Sequence, residues 1–182
     1  LYTYGLYDYA GVNPQNGNAL WRHEEGLLTE NYAEARRINA GSPEPLWTGG
    51  FNTELSWRGI SLGIQLEARY GNKVLNQDRS LFEADGSYGD SNIWKGALNY
   101  WKKPGDTNVL PKPIYNNSSN SSNISTRYLE DGSYLRIKDI TLAYNLPSKW
   151  TKKALMSGAR IYASALNLYT CHNMKYRDPE HG

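Results

Sequence analysis

Cysteine is almost missing from this chain: Cys171 is the only one in 182 residues, which excludes an internal disulfide and any cysteine-built metal cluster. Histidine is nearly as scarce. His23, His172 and His181 show no ligand spacing, and the oxygen-rich run at 85–92 lacks the one-three-five spacing and distal glutamate of a calcium loop, so no metal and no other cofactor is expected. No apolar run reaches the length of a membrane-spanning helix. A mean hydropathy of −0.71 excludes a bundle of such helices but leaves a β-barrel open, because a barrel's lumen and loops are polar. Net charge is only +2, which gives no electrostatic case for nucleic acid. Adjacent acids such as Glu24 with Glu25 and Glu130 with Asp131 lie in turn or loop sequence, and no nucleophile or base accompanies them. No catalytic residue is expected. Phenylalanine is rare too, 2 residues against 15 tyrosines and 6 tryptophans, an aromatic set suited to surfaces between apolar and wet surroundings and to sugar-binding faces.

What is present is a long alternation. With Arg58 and Gly59 as a turn, Trp57, Leu55, Thr53, Phe51, Gly49 and Trp47 oppose Ile60, Leu62, Ile64, Leu66, Ala68 and Tyr70. The other face carries Thr48, Gly50, Asn52, Glu54 and Ser56, then Ser61, Gly63, Gln65, Glu67 and Arg69. Strict period-2 patterning over such a length describes two long strands with one apolar and one polar side. Trp57 marks the turn end, and Trp47 with Tyr70 marks the other. About ten residues at roughly 3.4 Å each, tilted by about 40°, separate these ends by about 25 Å, the height of the lipid-facing band of an outer-membrane barrel between its two aromatic girdles. On that reading Trp47, Phe51, Leu55, Trp57, Ile60, Leu62, Ile64, Leu66 and Tyr70 face lipid, and Glu54, Glu67 and Arg69 line the lumen. A soluble β-sandwich that binds carbohydrate, with the apolar face on a core, is the alternative. A third reading, an outer-membrane enzyme, lacks any catalytic cluster to support it.

Elsewhere the pattern is patchier. Residues 2–10 read as the upper end of a strand, and a short polar hairpin is expected near 19–22 and 27–32. Residues 72–126 form a long loop, expected to be extracellular and functional because segments of that length without structure are uncommon in compact domains. Within it, 92–103 has Trp94, Leu98 and Trp101 at helical spacing with Pro104 just beyond, which predicts a short amphipathic helix. Asn116 to Asn123 is almost all Ser and Asn, a surface segment. A second hairpin is expected over 133–171. Its first arm breaks alternation at YLRIKD, which puts Arg136 and Lys138 on the face of Ile140: either that end rises above the lipid or a bulge resets the register. Its second arm has Leu166 and Asn167 on the wrong faces. The connection carries Lys149, Lys152 and Lys153. Short turns at 58–59 and 147–158, against long connections elsewhere, follow the construction of outer-membrane barrels. Trp94, Tyr100, Trp101 and Trp21 are the candidate substrate-binding aromatics, the competing role being the small core that keeps a long loop folded.

GVNPQNGNALW at 11–21, the hairpin through GNKV at 71–74, ALNYWKKPGD at 97–106, DGSYLRIKDITLAYNLPSKW at 131–150 and ARIYASALNLYT at 159–170 resemble the C-terminal barrel strands of the SusC/RagA family. These are TonB-linked outer-membrane transporters of Bacteroidetes-type bacteria. The resemblance implies an all-β fold, antiparallel strands belonging to a 22-stranded transmembrane barrel with long extracellular loops. It also implies import of oligosaccharides or peptides, a SusD-like surface lipoprotein as lid, the TonB complex engaged through a plug, and outer-membrane lipid as surroundings. The plug and the last barrel strand are expected to lie outside these 182 residues.

Overall fold

Arg58 and Gly59 both adopt positive φ, 49° and 87°, the geometry of a two-residue hairpin turn whose twist matches that of the strands it joins. The computed structural model describes residues 2–90 and 92–181. Its strands are β1 (Gly5–Tyr7), β2 (Tyr9–Val12), β3 (Ala19–Arg22), β4 (Leu28–Thr29), β5 (Arg37–Asn39), β6 (Trp47–Trp57), β7 (Ile60–Tyr70), β8 (Lys73–Leu75), β9 (Leu129–Asp131), β10 (Tyr134–Asn145) and β11 (Arg160–His172), with short helices α1 (Gln77–Phe82) and α2 (Ser148–Lys153). They fall into two units, one of residues 1–43 and 73–130, the other of residues 44–72 and 131–181.

The second unit is built on one antiparallel sheet in the order β11-β10-β7-β6. Between β6 and β7 the pairing runs without interruption from Trp57 opposite Ile60 to Trp47 opposite Tyr70. Between β7 and β10, Ile137 faces Leu66 and Asp139 faces Gln65, so Lys138 is an extra residue. That bulge answers the break in the sequence pattern. It keeps Leu135, Ile137, Ile140 and Leu142 on the apolar side and sends Arg136 to the polar side, opposite Glu67. On β11 the register slips between Leu166 and Tyr169, where Asn167 takes a φ of 49°. Leu166 consequently stands opposite Asp139 and Tyr169 opposite Ile137, which accounts for the lost alternation in that arm. The basic connection between β10 and β11 coils into α2, anchored by the buried Thr151.

In the first unit, β1 pairs with β5, β2-β3-β4 form a three-stranded sheet, and β8 pairs with β9. Its apolar centre is Trp21 with Ala19 and Ala35, flanked by Tyr7, Tyr9 and Tyr32. The Tyr9 and Tyr32 rings meet Trp21 edge-on at 5.3 and 4.9 Å. The Asn-rich loop between β2 and β3 is held by one carboxylate: the side-chain amides of Asn13, Asn16 and Asn18 all donate to Glu30. These donors, Asn18 foremost, hold the Glu30 carboxyl below its usual range. Residues 72–126 are not one structureless loop. They contribute β8 and α1, and from Lys73 on they belong to the same unit as the N-terminal residues, because buried ion pairs supply the order that alternation does not. Arg79 bonds Glu83 at 2.8 Å and Glu130 at 2.7 Å. Arg127 forms a two-pronged pair with Asp85 and also donates to the Ser121 carbonyl. Both guanidinium groups lie over Tyr128, at 5.8 and 5.1 Å from its ring centre.

Candidate functional site

The apolar face of the four-stranded sheet is bare. Phe51, Leu55 and Trp57 of β6 are 58%, 61% and 67% exposed, and Leu142 and Ile161 on the strands across the sheet are 53% and 62% exposed. All nine residues assigned to the apolar side of the hairpin fall on it by register. Its two ends carry aromatics. Trp47 stacks on Tyr70 with ring centres 6.1 Å apart, and Tyr169 lies toward the same end. Trp57 and Tyr144 stand at the opposite end, by the turn.

Glu54, Glu67 and Arg69 share the polar face. Glu67 is engaged at the end away from the turn: the Tyr134 hydroxyl donates to its Oε1 at 2.6 Å, and Lys138 Nζ lies 3.2 Å from its Oε2. Arg136, buried, is clamped by Asp178 and Glu180, which the segment after β11 carries back over this face. Arg69 lies over the Tyr134 ring at 5.6 Å. Nearer the middle of the sheet, Glu54, Asn52, Gln65 and Asp139 line an open polar groove of about 370 Å³. Asp139 alternates with Ile140 and so falls on the polar side, opposite Gln65, but nothing in the sequence marked it as a site residue; Thr141 Oγ1 donates to it at 2.8 Å.

Among the loop aromatics the structure divides the roles. Trp21 has no exposed surface, which corrects its assignment to substrate binding: a ring enclosed by Ala19, Ala35 and three tyrosines cannot meet a ligand. The amphipathic helix expected over 92–103 is reduced to one 3-10 turn at Lys95–Leu98. Trp94, at its cap position, offers no side-chain acceptor. The backbone beyond is diverted into pairing, Trp101 N–H to the Leu110 carbonyl and Leu110 N–H to that of Asn99, both 2.9 Å. Trp94 packs on Phe82 at 4.8 Å. Trp101 donates from Nε1 to the Pro14 carbonyl at 3.1 Å, and its ring covers Gly17. Tyr100 lines a small apolar pocket of about 150 Å³ with Leu81, Tyr88, Ile93, Leu98 and Pro111. The carboxylate of Asp85, first in the run considered as a calcium loop, is taken by Arg127 and Ser121; Ser91 of that run lies outside the described residues.

A Cβ on Gly17 would stand 2.6 Å from the Trp101 ring, and its φ of +77° is one that side chains resist. Gly17→Ala is therefore expected to destabilise the first unit by about 1–3 kcal/mol and to speed proteolytic cleavage near residue 105. Gly5→Ala, with open space around its Cβ and an ordinary backbone φ, should leave cleavage closer to that of the unaltered chain.

Deep in this unit, burial pushes the Tyr9 hydroxyl up to about 12 and raises that of Tyr128. Burial opposes the charge of Arg127, but bonding to Asp85 and its charge outweigh that cost and hold the guanidinium above its ordinary value. These groups keep fixed charge states near neutral pH. They bind the unit together and have no proton to exchange there.

No family model matches the chain. It is 32% identical over 146 residues to TonB-dependent receptor P3 of Formosa agariphila, a match covering 80% of this chain and 14% of that protein. TonB-dependent receptor P26 of the same organism is 26% identical over 178 residues, 95% of this chain and 17% of its own. Among solved structures, the RagAB peptide transporter superposes with a TM-score of 0.82 at 31% identity, over 99% of this chain and 20% of that one. The chain belongs with the SusC/RagA-like TonB-dependent transporters. The RagAB peptide importer in its open-open state matches with a TM-score of 0.76 at 29% identity, again over 99% of the chain. Both units thus have counterparts in a SusC/RagA-like transporter, and the all-β, antiparallel architecture is that of its barrel region. The chain spans a fifth or less of the length of these relatives.

Proposed function

We propose that this chain supplies wall strands and surface loops to a bacterial outer-membrane importer, powered through the TonB complex and working with a SusD-like surface lipoprotein. One observation carries this reading. A four-stranded sheet leaves a continuous apolar face bare, with aromatics at both ends, while its other face is lined by paired charges. In water such a face would be a severe aggregation liability; against hydrocarbon it is the expected surface of a transmembrane strand set. A β-sandwich would require a second layer over Phe51, Leu55 and Leu142, each more than half exposed.

Work on the solute is conformational, with no bond made or broken. The wall gives the passage a wet, charged side, and the residues of 73–130 form an ordered loop region held by ion pairs. The loop aromatics Trp94, Tyr100 and Trp101 are the candidates for meeting solute or lid, Tyr100 with the clearest opening, and Glu54 with Asp139 is the charged pair offered to the lumen. Of oligosaccharides and peptides, peptides are the favoured cargo, since the matched structures are peptide importers.

A strain lacking the intact protein is expected to lose uptake of labelled oligopeptides, and expression in trans should restore it. Unchanged uptake of both a peptide panel and a glycan panel would overturn the reading. Loss confined to glycans would transfer the cargo to sugars.

A further inference from the structure

One end of the sheet has charge of a single sign. Arg58 sits in the β6-β7 turn, and Ile60 pairs with Tyr144, which pairs with Ile161; the turn, α2 and the start of β11 therefore gather at the same end. That end carries Arg58, Lys149, Lys152, Lys153 and Arg160, all exposed. No aspartate or glutamate occurs in 55–66 or 140–177, and among the described residues none of the five cations is paired with a carboxylate. At the opposite end Arg136 and Lys138 are each matched by acids. The imbalance is local to the turn end.

Apolar groups surround these cations. Trp57 and Trp150 are 67% and 60% exposed, and Leu155 of the α2 connection is 97% exposed. The Arg58 guanidinium rests 4.7 Å above the Trp57 ring. Beside it a shallow groove of about 470 Å³ opens between β7, β10 and β11, lined by Arg58, Ile60, Leu142, Tyr144, Ile161 and Ala163. The groove is continuous with the bare apolar face. A cation at the lip of an apolar channel, with further unpaired cations and exposed tryptophans nearby, is the arrangement that holds an acyl chain below and a phosphate above.

We infer that this end of the sheet is a binding surface for anionic glycerophospholipid, with acyl chains in the Ile60–Leu142–Ile161 groove and the headgroup phosphate against Arg58 and the α2 lysines. The inference rests on the membrane reading above and deepens it by naming the lipid and the end that selects it. Short turns lie on the periplasmic side of such barrels, so the lipid comes from the inner leaflet of the outer membrane.

The test uses the intact protein in nanodiscs of equal phosphatidylglycerol and phosphatidylcholine, with co-purifying lipid counted by mass spectrometry after detergent extraction. Phosphatidylglycerol should be retained preferentially. The variant K149Q/K152Q/K153Q should lose about fivefold of that preference per cation removed, up to saturation, whereas neutralising Lys102, Lys103 and Lys112 should leave it unchanged. Raising sodium chloride to about 0.5 M should collapse the preference in the unaltered protein, a measurement that stands even if the lysine variant fails to insert. Added inorganic phosphate at millimolar levels should not compete; if it does, the surface is a phosphate site and the lipid assignment falls. Equal retention of the two lipids by a protein that still inserts overturns the inference and leaves the membrane reading intact. Failure of insertion in any bilayer overturns both.

Discussion

Asp85→Asn is expected to cost the protein about 3–5 kcal/mol, the penalty for stranding a buried charge. Asp85 and Arg127 each keep only 3% of their side-chain surface in contact with solvent, so little water is at hand to replace the lost carboxylate. Asparagine tolerates the positive φ of 49° found at this position, which isolates the charge effect from backbone strain. Arg127→Met should be comparably damaging, since it leaves Asp85 buried and removes the bonds to the Ser121 and Glu83 carbonyls. The double variant D85N/R127M should fall short of the summed losses by about 0.5–3 kcal/mol. Urea unfolding followed by protease cleavage between residues 83 and 127 reads all three. Strictly additive losses would mean that this pair does not close the loop segment.

The second large effect separates neighbouring residues. Ile64→Arg places a cation in the middle of the bare apolar face, where a charge at the centre of the bilayer costs about 2–4 kcal/mol. Gln65→Arg puts the same side chain on the polar face, beside Glu54 and Asp139 in the open groove, and should be nearly neutral. The fraction of intact protein that resists heat denaturation in outer-membrane preparations, compared between the two variants, measures the difference. Equal effects would show that both faces meet the same medium, and the transport wall would fail with that result.

The hairpin of β6 and β7 was legible residue by residue, because strict alternation leaves one register that keeps Trp57 through Trp47 and Ile60 through Tyr70 on one side. The irregular strands were legible only as breaks. A bulge announces itself by misplacing Arg136, but which residue is extra, Lys138, is decided by pairing with Leu66 and Gln65. Least readable was the first unit. Arg127 finds Asp85 across 42 positions, and Arg79 finds Glu130 across 51; no local pattern among 20 cations and 18 acids selects those partners. Trp21 looked like the half-buried Trp94 and Trp101 because a tryptophan beside Asn and Gly carries no mark of burial. The predicted helix at 92–103 failed for a similar reason, its later backbone being claimed by a strand contact with Leu110 that spacing cannot reveal.

The bulge at Lys138 also constrains how this barrel segment can change over generations. A strand with two dissimilar sides tolerates insertions and deletions by parity: one residue gained turns every following side chain to the wrong medium, and two leave the sense unaltered. The extra residue in β10 has absorbed one such odd step. Length variation within this strand among descendants should therefore come in pairs, or singly at the bulge itself, where a second odd step restores the phase.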